Sequence, residues 1–283
     1  MTAEVERTEA MQDDLQIYLR GEKLYGDDFS PAKIEEWFKD EEDAYSKIIK
    51  GRHSEYIYPY HALNWFHAFR FLSHRRFQHI LGFGSAYGEE LRPLVEQCER
   101  ISILEPSPDF DVHELQGKPV QYIRPQSNGI LPFEQNTFDL IVCLGVLHHL
   151  PKVSTAIREM ARAATPGAYV LIREPVISMG DWRKHRKGLT KRERGIPMKI
   201  LRQMIDESGL KIWRQAACQF SLTSRLNYLI GAPVYNSRIC TRVDAFLCGL
   251  PLWSNRYHPQ FFFHKLRPWS VFYMLRKPET IAP

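Results

Sequence analysis

The sequence predicts an α/β fold, in which a mostly parallel sheet of seven strands carries helices on both faces. From residue 78 onward, short apolar runs of strand length alternate with amphipathic segments of helix length. Strands and helices that alternate in this way form parallel sheets with right-handed crossovers. The first apolar run also leads directly into a turn with glycine at positions 84 and 88, where the backbone can approach a ligand closely.

Each core element is predicted from its own apolar pattern and its own boundary signals. The strands are expected at residues 78–83, 100–105, 119–124, 138–144, 168–173, 210–217 and 269–276. The helices are expected at residues 86–97, 153–164 and 198–208, with a weak helix near 110–116. Gly209 should end the helix before it, because glycine readily adopts the left-handed conformation that follows many helices.

Helical segments precede the core and interrupt it. Ser30 and Pro31 predict the start of one helix, because serine caps a helix and proline suits its first turn. About fifty residues separate strands six and seven, too many for a simple connection, so we expect a substrate cap or a dimer surface there. The predicted parts are an N-terminal helical cap (1–75), the core (76–218), the insertion (219–268) and a last strand with its tail (269–283).

Composition excludes several classes of protein. With 283 residues and 44% hydrophobic residues, the chain is long enough for one large core. Its five cysteines include no CxxC pair, so we expect neither a disulfide framework nor a metal site, and a reducing, cytoplasmic compartment fits best. Residues 1–10 contain no signal peptide and no apolar run approaches about 18 residues, so we expect a soluble protein without a membrane span.

One carboxylate lies where a nucleoside ligand would need it. Glu105 ends the second predicted strand, seventeen residues after Gly88, and an acid at that point of an open α/β sheet binds ribose hydroxyls. A dinucleotide fingerprint is excluded, because neither Gly82 nor Gly84 starts a series with glycines at relative positions one, three and six. A looser alternating pattern remains at positions 84, 86 and 88, with Ala86 in the middle.

Downstream motifs extend this pattern into a resemblance to a known family. Gly129-Ile-Leu-Pro-Phe133 is followed by Phe138 to Pro151, with the sequence FDLIVCLGVLHHLP, and then by Thr165-Pro-Gly167. With the turn at 84–88, these motifs resemble class I S-adenosylmethionine-dependent methyltransferases over residues 78–215 and 268–277, roughly. The resemblance implies a Rossmann-like fold, S-adenosylmethionine as cofactor, and a last strand that runs antiparallel between strands five and six.

The resemblance also assigns cofactor-binding positions. Gly82 and Ala86 depart from the family pattern, which usually has an acid at the first position and glycine at the second. Ser127 and Asn128 replace an acid that often precedes the Leu-Pro-Phe run, and both can still donate and accept hydrogen bonds to adenine. The expected set is Gly82, Gly84, Ser85, Ala86 and Gly88 at the methionine end, Glu105 at the ribose, Pro106 and Ser107 beside the adenosine, Ser127 and Asn128 at the adenine, and Leu144 and Gly145 beneath the sulfonium.

Methylation of a hydroxyl also needs a proton acceptor, which should project from the carboxyl end of strand four or five. His148, His149 and Glu174 lie there. Histidine accepts protons near neutral pH, and we prefer His149, because the family often has histidine at its position and glutamate at that of His148. Packing or capping roles for the histidines, and an ion-pairing role for Glu174, remain open.

The net charge of +5 is concentrated in one loop. Asp181 to Arg194 contains seven Lys or Arg residues and two acidic residues. A block of like charge is most often a solvated face, which is our first interpretation. The alternative is that this loop lies over the cofactor site and attracts an acidic substrate, such as a phosphorylated or carboxylated sugar.

The leading hypothesis is therefore a methyltransferase for a small-molecule or saccharide-like acceptor, most simply at a hydroxyl. A second hypothesis is an RNA methyltransferase that uses the basic loop. Against it, Cys143 to Val146 lacks the polar-proline-proline-aromatic tetrad of base-amino methylases, so we do not expect a nucleic-acid partner. A third is an inactive protein that keeps the fold and only binds. A homodimer is compatible with all three.

Overall fold

The computed structural model describes residues 15–49, 56–110, 112–182, 184–251, 253–254 and 256–279. Its helices are α1 (Pro31–Ile49), α2 (His61–His67), α3 (Val153–Ala163), α4 (Met198–Glu207), α5 (Ser221–Ile230) and α6 (Arg238–Gly249). Its strands are β1 (Phe77–Phe83), β2 (Cys98–Leu104), β3 (Glu114–Leu115), β4 (Lys118–Ile123), β5 (Phe138–Leu144), β6 (Ala164–Pro175), β7 (Lys211–Phe220) and β8 (Pro268–Arg276). Residues 1–10, where no signal peptide was expected, lie outside the described residues.

The strands form one sheet in the order β3-β4-β2-β1-β5-β6-β8-β7. The pairs that join β4, β2, β1, β5 and β6 are parallel, whereas β8 pairs antiparallel with β6 and with β7. The predicted Rossmann-like class and the antiparallel last strand are confirmed. The chain runs from β1 outward to β2 and later returns to β5 on the other side of β1, so the sheet has its topological switch point between β1 and β5.

Alternate residues of the central strands pack on opposite faces of the sheet. On β5, Ile141 and Cys143 join the core under α3 and α4, while Leu140 and Val142 join the core that contains α2. All four side chains are completely buried. A parallel strand covered on both faces needs apolar residues at every position, which is why its sequence is a continuous apolar run.

Two local predictions are wrong. The segment expected to be an α-helix at 86–97 is a 3₁₀ helix, Glu89–Gln97, which contains Pro93 and follows a left-handed Gly88. Proline removes a backbone donor and crowds the preceding turn, so a regular α-helix is disfavoured there. The weak helix near 110–116 is instead β3, joined to β4 through Gln116 and Gly117 with φ of 52° and 78°, the conformation of a tight hairpin turn.

The hairpin adds an eighth strand to the seven that were predicted. Two further boundaries move: β6 begins at Ala164 rather than at residue 168, and β7 continues to Phe220. Among the described helices, none is both long enough and apolar enough to cross a bilayer.

Candidate functional site

Gly84 and Gly145 meet at the switch point of the sheet. Gly84 follows β1 with φ of 64°, and Gly145 follows β5 with φ of 79°. A Cβ on Gly84 would lie 2.6 Å from a methyl carbon of Val146, so no larger residue fits without a shift. The two glycines line both of the cavities described next, and they therefore form the passage between them.

The first cavity, which we call the helix-covered cleft, has about 980 Å³ of empty volume. Its floor comes from the ends of β1, β2, β4 and β5 and includes Glu105, Pro106 and Ser127. Trp37 and Glu41 of α1 cover it, and the Trp37 indole donates a hydrogen bond of 2.7 Å to the carbonyl of His149. The N-terminal segment is thus part of the wall of the cleft.

The second cavity, the tyrosine-lined chamber, has about 1310 Å³ of empty volume. Four tyrosines line it, Tyr56, Tyr58, Tyr60 and Tyr235. They come from the segment before α2 and from the insertion between β7 and β8. The core contributes Ser85, Ala86, Leu144 and His148 to the same wall. The cap and the insertion therefore enclose one chamber at the carboxyl edge of the sheet.

Glu105 lies beside the turn that follows β1. One carboxylate oxygen accepts the Ala86 backbone N–H at 3.0 Å, and the other accepts that of Ser107 at 3.2 Å. Burial raises the pKa of Glu105 to about 7, although these two donors oppose the rise. Each oxygen keeps lone pairs that can accept hydroxyl donors from a ligand in the helix-covered cleft.

The turn itself is tightly packed. Ala86 has φ of 44°, so it adopts the left-handed conformation despite its Cβ. Gly88 has φ of 72°, and its N–H donates to the carbonyl of Ser85 at 2.6 Å. A Cβ on Gly82 would lie 2.5 Å from the Ser85 hydroxyl. The Ser85 side chain therefore fills the space beside Gly82, and Gly82 and Gly88 shape the turn without lining either cavity.

Some of the remaining predicted cofactor positions line a cavity, and the others do not. Pro106 and Ser127 line the helix-covered cleft, and Leu144 lines the tyrosine-lined chamber. Ser107 is buried, and its hydroxyl accepts the Asp109 N–H. The exposed Asn128 side chain accepts the Ile130 N–H, so it stabilises its own loop and does not line the cleft.

The two histidines lie on opposite sides of the passage. His148 lines the chamber, and its Nδ1 is 2.7 Å from the carboxylate of Glu174. His149 lines the helix-covered cleft, where its Nδ1 is 3.0 Å from Glu41. Glu174 is completely buried and also accepts the backbone N–H groups of Val146 and Leu147 at 2.9 and 2.8 Å. It therefore fixes both the turn and the His148 ring.

Glu193 completes this cluster from the basic loop. One of its oxygens is 3.5 Å from Nε2 of His148. Burial lowers the pKa of His148, but Glu174 and Glu193 outweigh it and raise that pKa to about 9. Ligand atoms of His148, His149 and Glu193 all lie within 4.8 Å of one another. The sequence analysis expected no metal site, and the same side chains also form ion pairs, His148 with Glu174 and Glu193 and His149 with Glu41.

Two charged residues of the chamber were not predicted. Glu90 is buried, and burial raises its pKa to about 7. Arg173 is buried too. Its Nη1 donates to Asn64 at 2.7 Å, and its guanidinium carbon lies 4.1 Å from the centre of the Tyr60 ring. Among the described residues, Arg173 forms no ion pair with a carboxylate. A charged residue inside an apolar strand run, as Arg173 is, was the signal in the sequence.

The basic loop is largely engaged within the protein. Arg192 forms ion pairs with Glu36 and Asp40 of α1 at 2.5 and 2.8 Å. Arg194 is completely buried and donates to the carbonyls of Tyr25, Leu147, His148 and Leu150. The first interpretation of a solvated face is therefore wrong for these two arginines. Lys184 and Lys187 are exposed, and Arg183 lies outside the described residues.

The comparisons with known proteins agree with this fold. Residues 81–172 match the family model of a methyltransferase domain. The fold is similar to a putative S-adenosylmethionine-dependent methyltransferase from Listeria monocytogenes, with TM-score 0.54, 10% identity, and coverage of 77% of this chain and 99% of that one. It is also similar to the N-methyltransferase NodS from Bradyrhizobium japonicum in complex with S-adenosylhomocysteine, with TM-score 0.50, 15% identity, and coverage of 85% and 100%.

A methyltransferase from Mesorhizobium loti has a comparable fold, with TM-score 0.50, 15% identity, and coverage of 76% of this chain and 97% of that one. The residues present also fit S-adenosylmethionine. Glu105 can accept ribose hydroxyls, and the buried Ser85 hydroxyl lines the tyrosine-lined chamber. Residues 81–172 therefore match a methyltransferase domain, the fold is shared with S-adenosylmethionine-dependent methyltransferases, and S-adenosylmethionine is the cofactor that this domain indicates.

Proposed function

We propose that this enzyme methylates a hydroxyl group of a small or saccharide-like acceptor held in the tyrosine-lined chamber. The observation that carries the proposal is the position of His148. Its imidazole lines the chamber together with Gly84 and Gly145, while Glu174 holds its other side at 2.7 Å. A base oriented by a buried carboxylate is the arrangement that activates hydroxyl groups in many enzymes.

The cofactor supplies a methyl group activated by a positively charged sulfur. An acceptor hydroxyl loses its proton when its oxygen is methylated, and Nε2 of His148 is the atom that takes this proton. Glu174 keeps the ring in place and stabilises the imidazolium that results. His149, our first preference from the sequence, faces the helix-covered cleft instead, where its ring is held by Glu41. The geometry therefore favours His148 as the base.

The pKa of His148 sets the pH dependence. With a pKa of about 9, the ring is protonated at pH 7 in the empty site, and about 1% is in the neutral form that accepts a proton. We expect kcat to rise from pH 7 towards pH 9. Replacing Glu193 by glutamine removes one of the carboxylates that stabilise the charged ring. The inflection of the pH profile should therefore move to lower pH in E193Q.

The test uses the full chain and a panel of nucleotide sugars and simple glycosides, with release of S-adenosylhomocysteine as the readout and mass spectrometry to locate the methyl group. The variant His148→Gln should lose a factor of about 10² to 10⁴ in kcat and keep its affinity for S-adenosylhomocysteine. His149→Gln is the matched control and should lose much less. Full activity of His148→Gln, or methylation at nitrogen or carbon, would contradict the proposal.

We further infer how the cofactor lies. The adenosine occupies the helix-covered cleft, where Glu105 accepts the ribose hydroxyls and Ser127 lies at the adenine. The amino-acid end passes Gly84 and Gly145 into the chamber. Glu90 and Arg173, a buried acid and a buried base on the wall of that chamber, fit the ammonium and carboxylate groups of a zwitterion. Glu90 thus supplies, from the segment after the turn, the acid that is missing at Gly82.

A further inference from the structure

The insertion between β7 and β8 carries most of the apolar surface that the protein exposes. Of thirteen large hydrophobic side chains that are exposed in the described part of the chain, nine lie between residues 222 and 263. These nine are Leu222, Leu226, Leu229 and Ile230 on α5, Ile239, Val243 and Phe246 on α6, and Phe261 and Phe263 in the segment that follows. Leu229 is 81% exposed and Phe263 is 78% exposed. We call this set the insertion face.

The apolar residues follow helical spacing on both helices. On α5 they recur at intervals of four, three and one residues, and on α6 at intervals of four and three. Such intervals place them along one side of each helix. The other side of each helix is already packed, with Thr223 of α5 and with Thr241 and Cys248 of α6 buried. The insertion face is therefore a second apolar stripe that the fold leaves uncovered.

Exposed charge in this region has a single sign. Residues 221–268 contain six Lys or Arg residues and one acid, Asp244. Asp244 is completely buried and accepts the backbone N–H groups of Gln219 and Phe220 at 2.9 and 2.7 Å. Five of the six cations are exposed, namely Arg225, Arg238, Arg242, Arg256 and Lys265. The surface therefore combines exposed aliphatic and aromatic side chains with positive charge alone.

We propose that the insertion face docks on the surface of a lipid bilayer that contains anionic lipids. Amphipathic helices with apolar residues on one side and arginine or lysine beside them lie in the headgroup region, with the apolar side chains at the acyl boundary. Anionic headgroups attract each nearby cation, and this attraction weakens as the salt concentration rises. Charge complementarity thus selects this partner, because a bilayer satisfies the apolar stripe and the cations at once.

Other partners match the same surface less well. A second copy of this chain would bring exposed cations against exposed cations across a symmetric interface, with no exposed acid of the insertion to pair them. A nucleic acid would pair with the arginines, but its phosphates would leave Leu229 and Ile239 in water. Docking would also bring the chamber close to the bilayer, because α5 carries Ser224 in the chamber wall as well as Leu222 on the insertion face.

The test is sedimentation of the full chain with vesicles of phosphatidylcholine alone or with one quarter phosphatidylglycerol. We expect binding to the anionic vesicles that falls at high salt and is at least tenfold weaker with phosphatidylcholine alone. The double variant Leu229→Asp with Phe246→Asp should lose at least tenfold in vesicle binding while its affinity for S-adenosylhomocysteine is unchanged. Both side chains are exposed, so the fold should tolerate the changes.

Ile57→Asp is the matched control, because Ile57 is 68% exposed and lies outside the insertion face. It should bind vesicles like the unmodified chain. Arg225→Glu with Arg242→Glu should lose the preference for anionic vesicles. Failure of the unmodified chain to bind either vesicle overturns the proposal, as does unchanged binding by the aspartate variant. The proposal is also overturned if the unmodified chain dimerises without lipid and the aspartate variant is monomeric. Binding of polyuridylate without binding of vesicles overturns it as well.

Discussion

Glu90 and Arg173 are two buried ionisable residues in the wall of the tyrosine-lined chamber. One is an acid and the other a base, both are buried, and they line one chamber, yet no ion pair joins them. Burial raises the pKa of Glu90 to about 7, so a cation beside it would favour its ionised form. A buried charge without an ionic partner is costly. A ligand that brings a cation to Glu90 and an anion to Arg173 therefore binds more tightly, because it supplies those partners. An amino-acid head group does this, and a neutral ligand does not.

This arrangement predicts a selective loss of affinity. Glu90→Gln and Arg173→Met should each weaken the binding of S-adenosylhomocysteine by at least tenfold, which corresponds to about 1.4 kcal/mol. They should leave the binding of 5′-methylthioadenosine, which has no amino-acid end, nearly unchanged. Calorimetric titration of both ligands on both variants checks the prediction.

Glu105→Ala is the matched control, because it should weaken both ligands equally by removing the ribose contact. Equal weakening of both ligands by Glu90→Gln or Arg173→Met would show that these residues act on the fold and not on the head group.

At the scale of elements, the connection between β6 and α4 joins the N-terminal cap to the turn that follows β5. Arg194 donates to Tyr25 of the cap and to three carbonyls of residues 147–150. Its guanidinium carbon lies 5.0 Å from the Trp37 ring of α1. Burial lowers the pKa of Arg194 to about 10, so it remains charged at neutral pH. One buried cation thus holds three elements around the helix-covered cleft.

Arg194→Met should therefore destabilise the protein strongly. Four carbonyl groups would lose a donor. Those of Leu147 and His148 keep a backbone N–H donor, whereas those of Tyr25 and Leu150 lose the side-chain donor described above. Unsatisfied buried polar groups cost about 1–3 kcal/mol each. Relaxation and water would recover part of this, so we expect the free energy of unfolding to fall by about 3 kcal/mol. Urea denaturation followed by circular dichroism measures it.

Lys187→Met serves as the control, because Lys187 is exposed in the same connection. Its effect should stay within about 0.5 kcal/mol. Equal stability of the two variants would show that the contacts of Arg194 do not hold the cap.

For the whole molecule, the cap, the core and the insertion all contribute to the two cavities. Trp37 comes from the cap, Gly84 and Gly145 from the core, and Tyr235 from the insertion. A ligand that fills both cavities contacts segments that lie far apart in sequence. Binding of the cofactor should therefore stabilise the molecule as one unit.

S-adenosylhomocysteine at one hundred times its Kd should add about 2.7 kcal/mol to the free energy of unfolding. For a protein of this size, that corresponds to a rise in Tm of about 4–5 °C. Differential scanning calorimetry should show one transition that moves as a whole. A transition that splits, with only one part moving, would show that the cap or the insertion unfolds separately.

The sequence by itself determined the order of strands and helices in the core, the glycine turn after β1 and the acid after β2. These follow from short-range rules, because apolar periodicity and glycine conformation act over a few residues. Residues 86–97 and 110–116 were predicted incorrectly. A proline in the first segment and a left-handed turn in the second outweighed the helical pattern.

Only the tertiary structure decided which histidine faces which cavity, that Arg192 and Arg194 are used internally, and that Glu90 and Arg173 share one chamber. These facts depend on contacts between residues that are far apart in the chain. No local pattern encodes such contacts, because the side chains meet only when the sheet brings the ends of β1, β5 and β6 to one edge and the cap and insertion close over it.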